Sequence, residues 1–196
     1  FFQAVDGIRA RSPCRGLGDV YKRQVVKAIN KDQRLRLLGS GTILREVRKA
    51  AEILRKEYSV VVDVWSVTSF NELRRDALAV CRENMLHPDK KAKLPFVTEQ
   101  LSKQKGPVIA TTDYMKAYSD QIREFVPDSY RVLGTDGFGR SDSREQLRHF
   151  FEVDSKFVVL AGLTELKELG LVNAKEILAH MKATGINLDK VNPLNQ

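Results

Sequence analysis

The sequence predicts a three-layer α/β domain, a mostly parallel sheet with helices on both faces. Three observations carry that reading. Short β-branched or leucine-rich runs alternate with stretches of helical apolar period, in the order βαβαβαβ and then helices. Successive strands are separated by a helix, which rules out hairpins and calls for parallel crossovers. With 196 residues, 42% hydrophobic and 30% charged, the chain is long enough to bury a core and too apolar for general disorder.

The elements follow in order. Residues 1–24 contain no recognisable element, because Ser12-Pro13-Cys14-Arg15-Gly16-Leu17-Gly18-Asp19 is full of breakers and lacks a period. The stretch from Arg11 to Gln24 looks like translated adaptor sequence or a disordered linker. The reading therefore divides the chain into a junction segment, 1–24, and a domain, 25–196. Leu35-Arg36-Leu37-Leu38 is a short strand ending at Gly39-Ser40-Gly41. Ile43, Leu44, Val47, Ala50, Ala51 and Leu54 then set a helix from Thr42 to Glu57. Val60 to Trp65 is a β-branched strand of the kind buried on both faces.

Ser69-Phe70-Asn71-Glu72 has the form of a capping box and opens a helix through Leu73, Ala77, Val80 and Cys81, with Cys81 expected in the core. His87-Pro88 ends it, and 86–95 is a lysine-bearing loop. A short helix from Phe96 to Lys103 precedes a third strand, Pro107–Thr111. Asp113 is placed to cap a helix that turns Met115, Tyr118, Ile122 and Phe125 inward until Pro127. Tyr130–Leu133 is the fourth strand, followed by the Gly-rich loop 134–142. Helices are expected at 143–150, 154–169 and 173–184, with Asp154 capping the second and Gly185 ending the third.

Charge narrows the function classes. The chain has 33 Lys+Arg and 25 Asp+Glu, a net +8 that invites a nucleic-acid reading. Residues 1–49 hold 12 basic and 4 acidic side chains, and residues 50–196 hold 21 of each, so the excess sits in the first quarter. Uniform nucleic-acid binding is not expected of such a pattern. Cys14 and Cys81 form neither a ligand cluster nor a disulfide framework, and a reducing cytosol is the simplest compartment. No run reaches 18 apolar residues, so no membrane span is expected, and the start reads neither as a signal peptide nor as a natural beginning.

Ligands of parallel sheets bind beyond the carboxyl ends of the strands, where two glycine-rich loops fall here. Gly39-Ser40-Gly41-Thr42 is compatible with a phosphate cradle, but Leu44 stands where the dinucleotide fingerprint needs its third glycine, so a tight strand-to-helix turn is the simpler reading. Gly134 to Glu145 combines three glycines with Asp136, Arg140, Asp142, Arg144 and Glu145, a pattern suited to binding an anion or sealing an interface by ion pairs. His87, His149 and His180 show no metal-ligand spacing, and there is no Gly-x-Ser-x-Gly elbow or Ser-x-x-Lys pair. The residues alone do not describe a self-contained enzyme. A free-standing phosphate- or nucleotide-binding module is the alternative.

Several long motifs make the sequence informative. They are Leu37-Leu38-Gly39-Ser40-Gly41, Asp63-Val64-Trp65-Ser66-Val67-Thr68-Ser69-Phe70-Asn71-Glu72-Leu73, Asn84-Met85-Leu86-His87-Pro88, Thr112-Asp113-Tyr114-Met115-Lys116, and Gly134-Thr135-Asp136-Gly137-Phe138-Gly139-Arg140-Ser141-Asp142-Ser143-Arg144, with the ending Asp189-Lys190-Val191-Asn192-Pro193. Over residues 25–195 the chain resembles the C-terminal domain of the homodimeric, bacterial-type pyruvate dehydrogenase decarboxylating components. The resemblance implies a transketolase-like C-terminal fold with one antiparallel strand in a mostly parallel sheet. It also implies a cytoplasmic oxidoreductase that uses thiamine diphosphate and Mg²⁺ to decarboxylate pyruvate and passes the acetyl unit to the lipoyl groups of the dihydrolipoyl acetyltransferase component. In that family the cofactor lies between the N-terminal and middle domains, so no catalytic, cofactor-binding or metal-binding residue carries over to this sequence. The expected work of this domain is to stabilise a homodimer, with Asp136, Arg140, Asp142, Arg144 and His149 as interface candidates. Its partners would be the N-terminal and middle domains, the second subunit and the acetyltransferase, and neither nucleic acid nor a membrane.

Overall fold

The structure, a computed structural model, describes residues 2–4 and 34–195. The expectation of a foreign or unstructured segment over 11–24, the domain start at 25 and Cys14 lie outside the described residues. So does most of the basic N-terminal stretch.

The parallel strands are β2 (Leu35–Gly39), β3 (Val62–Val67), β4 (Val108–Thr111) and β5 (Tyr130–Leu133). They are preceded by β1 (Phe2–Ala4), and the sheet order is β1-β3-β2-β4-β5. Among the described strands only β1 is antiparallel, pairing Phe2 with Val67 and Ala4 with Trp65. Its presence corrects the reading of 1–24 as devoid of elements. Three residues are too few to show a period of two, and the strand is completed by the open edge of β3 rather than by local propensity.

The helices are α1 (Leu44–Tyr58), α2 (Phe70–Leu86), α3 (Phe96–Leu101), α4 (Lys116–Asp120), α5 (Arg144–Phe150), α6 (Ser155–Glu168) and α7 (Ala174–Thr184). Side chains alternate across the sheet, as the pleat requires. Leu35, Leu37, Val62, Val64 and Ile109 join α1 and α6 in one core layer; Leu38, Val67, Val108 and Ala110 join α2 and α3 in the other. The expected three-layer α/β architecture is the observed one.

Local chemistry sets the helix ends. Ser69, Ser143 and Asp154 each accept a hydrogen bond from the backbone N–H three residues on. Asn173 and Glu176 form a reciprocal capping box, and α7 ends on left-handed Gly185. At α2 only the Ser69 half of the expected box is formed. α7 is anchored by buried His180, whose ring nitrogens lie 3.1 Å from the Tyr58 hydroxyl on α1 and 3.1 Å from the Lys156 carbonyl on α6. Burial holds this imidazole below its ordinary pKa, against a smaller opposing pull from the Lys156 carbonyl.

Two expectations need correcting. Cys81 is exposed, not in the core. Only Phe70, Leu73 and Ala77 of α2 are buried. Cys81 lies one turn beyond Ala77, the last buried position of α2, so it falls where the helix no longer packs on the core. The helix expected after Asp113 starts later, at Lys116, and breaks into a 3₁₀ turn at Arg123–Phe125. Ile122 and Phe125 face the core, but Met115 is exposed. Asp113 does not cap α4. The Lys116 N–H is taken instead by the Asp136 carboxylate at 2.8 Å, from a loop twenty residues later.

Candidate functional site

The chain leaves β2 toward β3 on one side and later fills β4 and β5 on the other, so the sheet reverses direction of growth between β2 and β4. Beyond the carboxyl ends of those strands lie Gly39-Ser40-Gly41 and Thr112-Asp113. The Ser40 hydroxyl donates to Thr112 Oγ1 at 2.9 Å, and the Thr42 hydroxyl donates to the Asp113 carboxylate at 3.2 Å, so the two loops are tied across the reversal point.

The second glycine loop folds over the turn between β4 and α4. Gly134 passes so close to the β4–α4 turn that a Cβ there would lie 2.7 Å from the Tyr114 carbonyl oxygen and 2.9 Å from the Lys116 nitrogen. Gly137 has φ +102° and runs against the Pro193 carbonyl, which ties the loop to the C-terminal segment. The loop then enters α5. Between the two loops and α5 opens a cleft of about 580 Å³. Its walls include Thr42, Asp113, Arg140, Asp142 and Arg144, and its apolar side is built from Ile43, Leu147, Phe151 and Val153.

The five interface candidates separate into three groups. Arg140, Asp142 and Arg144 share this cleft. The Arg140 guanidinium carbon lies 4.7 Å from the centre of the Phe150 ring, a cation–π contact. Asp142 accepts the Ser143 N–H at 2.6 Å. Asp136 is committed locally, to the Lys116 N–H and its ammonium. His149 lies apart from the cleft walls: its Nδ1 is 2.9 Å from the Asp154 carboxylate and its ring packs on Phe157.

Two charged networks were not anticipated from the sequence. Glu46 on α1 is buried and accepts from Arg148 at 3.1 Å, from Lys49 at 3.1 Å and from the Ser155 N–H at 3.3 Å, fixing the start of α6. The signal was present: Glu46 is three residues after Ile43 and four before Ala50, on the inward stripe. At the opposite edge of the sheet, Arg36 is 1% exposed, and its guanidinium donates to the carbonyls of Leu101, Gln104 and Gly106 and to the Asp128 carboxylate. Burial depresses its pKa and Asp128 opposes the shift. A lone arginine in a strand covered on both faces was its signal.

Among the described residues no three His, Cys, Asp or Glu side chains converge into a metal site, and no described helix is long and apolar enough to cross a membrane. What the geometry offers is an open strand-end cleft with charged walls beside exposed apolar side chains. Residues 21–154 match the family described as the transketolase-like TK C-terminal domain. The chain belongs to this family. Over 162 residues, 82% of the chain, it is 57% identical to a protein named pyruvate dehydrogenase E1 component from Pseudomonas aeruginosa. Over 175 residues, 89% of the chain, it is 50% identical to a protein of the same name from Escherichia coli. It spans 18% and 19% of their lengths, so it corresponds to about a fifth of the curated relatives it matches. A transketolase from Campylobacter jejuni subsp. jejuni aligns with 69% of this chain and 17% of its own, at 21% identity and a TM-score of 0.45. As a transketolase-like C-terminal domain, the chain carries the strand-end loops at the face described above.

Proposed function

We propose that this chain is the C-terminal, non-catalytic part of a pyruvate dehydrogenase decarboxylating component, and that it stabilises that enzyme's homodimer through the carboxyl edge of its sheet. The observation that carries the reading is the 57% identity over most of the chain to a protein of that name. In the full-length enzyme, thiamine diphosphate with Mg²⁺ supplies decarboxylation of pyruvate, and the acetyl unit passes to the dihydrolipoyl acetyltransferase component in the cytoplasm. The described residues do not fit the Mg²⁺ that this cofactor carries: Asp113 and Asp142 are the only carboxylates of the cleft, and no third acidic, His or Cys side chain joins them. The N-terminal and middle domains would hold it.

The surface chemistry supports a docking role. Phe138 is 81% exposed at the tip of the Gly-rich loop, and Tyr114, Met115 and Leu194 are also exposed on segments in contact with that loop. Aromatic and Met side chains beside arginines are the composition of an interface centre. Asp136, Arg140, Asp142, Arg144 and His149 would supply its polar rim. In the full-length polypeptide, the double variant Arg140→Glu, Arg144→Glu is expected to weaken dimerisation at least tenfold, measured by sedimentation equilibrium. The 196-residue chain alone is expected to release no CO₂ from pyruvate with thiamine diphosphate. An unchanged dimer constant contradicts the interface, and decarboxylation by the chain alone contradicts the non-catalytic role.

A further inference from the structure

The two glycine-rich loops, almost a hundred residues apart in sequence, form the walls of one cleft, and the charges inside it are incompletely used. Of its three arginines, Arg148 is held by Glu46. Arg140 and Arg144 have no carboxylate within ion-pair distance among the described residues; Arg140 rests on the Phe150 ring. The facing carboxylates, Asp113 and Asp142, accept one hydroxyl and one backbone N–H respectively, which leaves further lone pairs on each. The remaining wall is apolar, with the Phe151 ring and Leu147.

A ligand that satisfies all three surfaces carries an anion for the arginines, hydroxyl donors for the carboxylates and a flat apolar face for Phe151. Guanidinium groups suit phosphate, to which they donate in pairs. The cleft volume of about 580 Å³ falls within the range of small-molecule sites. The cleft also lies at the strand-order reversal between β2 and β4, where open parallel sheets place their ligands.

We infer that this cleft binds a nucleoside monophosphate, with phosphate on Arg140 and Arg144, ribose hydroxyls donating to Asp113 or Asp142, and the base against Phe151 and Leu147. The cleft shares Arg140, Asp142 and Arg144 with the rim of the proposed dimer interface, so the inference concerns the 196-residue chain by itself, in which that rim is open.

The test is titration calorimetry of the 196-residue chain at low salt with AMP, adenosine, ribose 5-phosphate and inorganic phosphate as separate probes. AMP is expected to bind at least tenfold more tightly than adenosine or phosphate, with ribose 5-phosphate between. Arg140→Ala with Arg144→Ala should weaken AMP at least tenfold and leave the adenosine affinity within twofold. Leu147→Lys should weaken AMP and adenosine together. The probe comparison on the unaltered chain needs no variant to fold, and both arginines are exposed. Equal affinities for AMP and phosphate, no heat with AMP at millimolar concentration, or AMP binding unaffected by loss of both arginines would overturn the inference. None of those results bears on the dimer constant of the full-length polypeptide.

Discussion

At the amino edge of the sheet, Arg36 is buried and its guanidinium meets three carbonyls and the Asp128 carboxylate; at the carboxyl edge, Arg140 and Arg144 are exposed and meet no carboxylate among the described residues. The same residue type does opposite work at the two ends. Leu101, Gln104, Gly106 and Asp128 all precede β4 or β5 in the chain, so Arg36 closes the amino edge by satisfying backbone groups that no strand reaches. The carboxyl edge instead ends in turns tied by Ser40, Thr112 and Asp113, with cationic groups left over. One edge is closed by hydrogen bonds and the other leaves two guanidinium groups exposed.

The sharpest way to break the comparison is to remove the cations separately. Arg36→Met would leave Asp128 and three carbonyls without their donor, and should destabilise the chain by about 3 kcal/mol in urea unfolding. Arg36→Lys should not restore the loss, because an ammonium cannot reproduce the planar fork. Arg140→Ala and Arg144→Ala should each change stability by no more than about 0.5 kcal/mol. Equal losses at both edges would end the distinction. A smaller effect tests how tightly the carboxyl-edge loops are held. Gly134→Ala drives a Cβ toward the Tyr114 carbonyl and the Lys116 nitrogen, and the same unfolding measurement should register a loss of about 1–3 kcal/mol. If Gly134→Ala is neutral, the loop is not clamped to the β4–α4 turn.

How much of this was legible in the sequence depended on whether the cause was local. Val62, Val64 and their neighbours announce a strand buried on both faces because β-branched residues suit that position and little else. Asp154 announces a helix start because a cap reaches only three residues ahead. Where the determinant is distant, the sequence was silent or misleading. Asp113 looks like a cap, but the N–H it would have taken goes to Asp136. Cys81 keeps a helical apolar spacing past Ala77, the last buried position of α2, and periodicity carries no record of where the core packed against a helix ends. β1 exists only through its partner's edge. At the candidate site, Arg140, Asp142 and Arg144 were recognisable as a charged cluster, because they lie within five positions. That they share a cleft with Thr42 was not, since the approach is set by sheet order.

The contact of His180 with Tyr58 and the Lys156 carbonyl gives the domain an acid-sensitive joint. Its pKa lies below 6.5 in the folded chain because of burial. Near neutrality both states are uncharged there and the group contributes no pH dependence. Below the ordinary value the unfolded chain takes up a proton that the folded chain refuses, so stability falls as pH drops from about 6.5 toward the lowered folded value. A His180→Asn variant, less stable at pH 7.5, should show a shallower fall in Tm between pH 7 and pH 5, and parallel curves would contradict the assignment. Because α7 has no other fully buried side chain, its amides should lose protection from hydrogen exchange before those of α1 as the solution is acidified. Proton uptake would thus peel the last helix from the domain while the sheet persists.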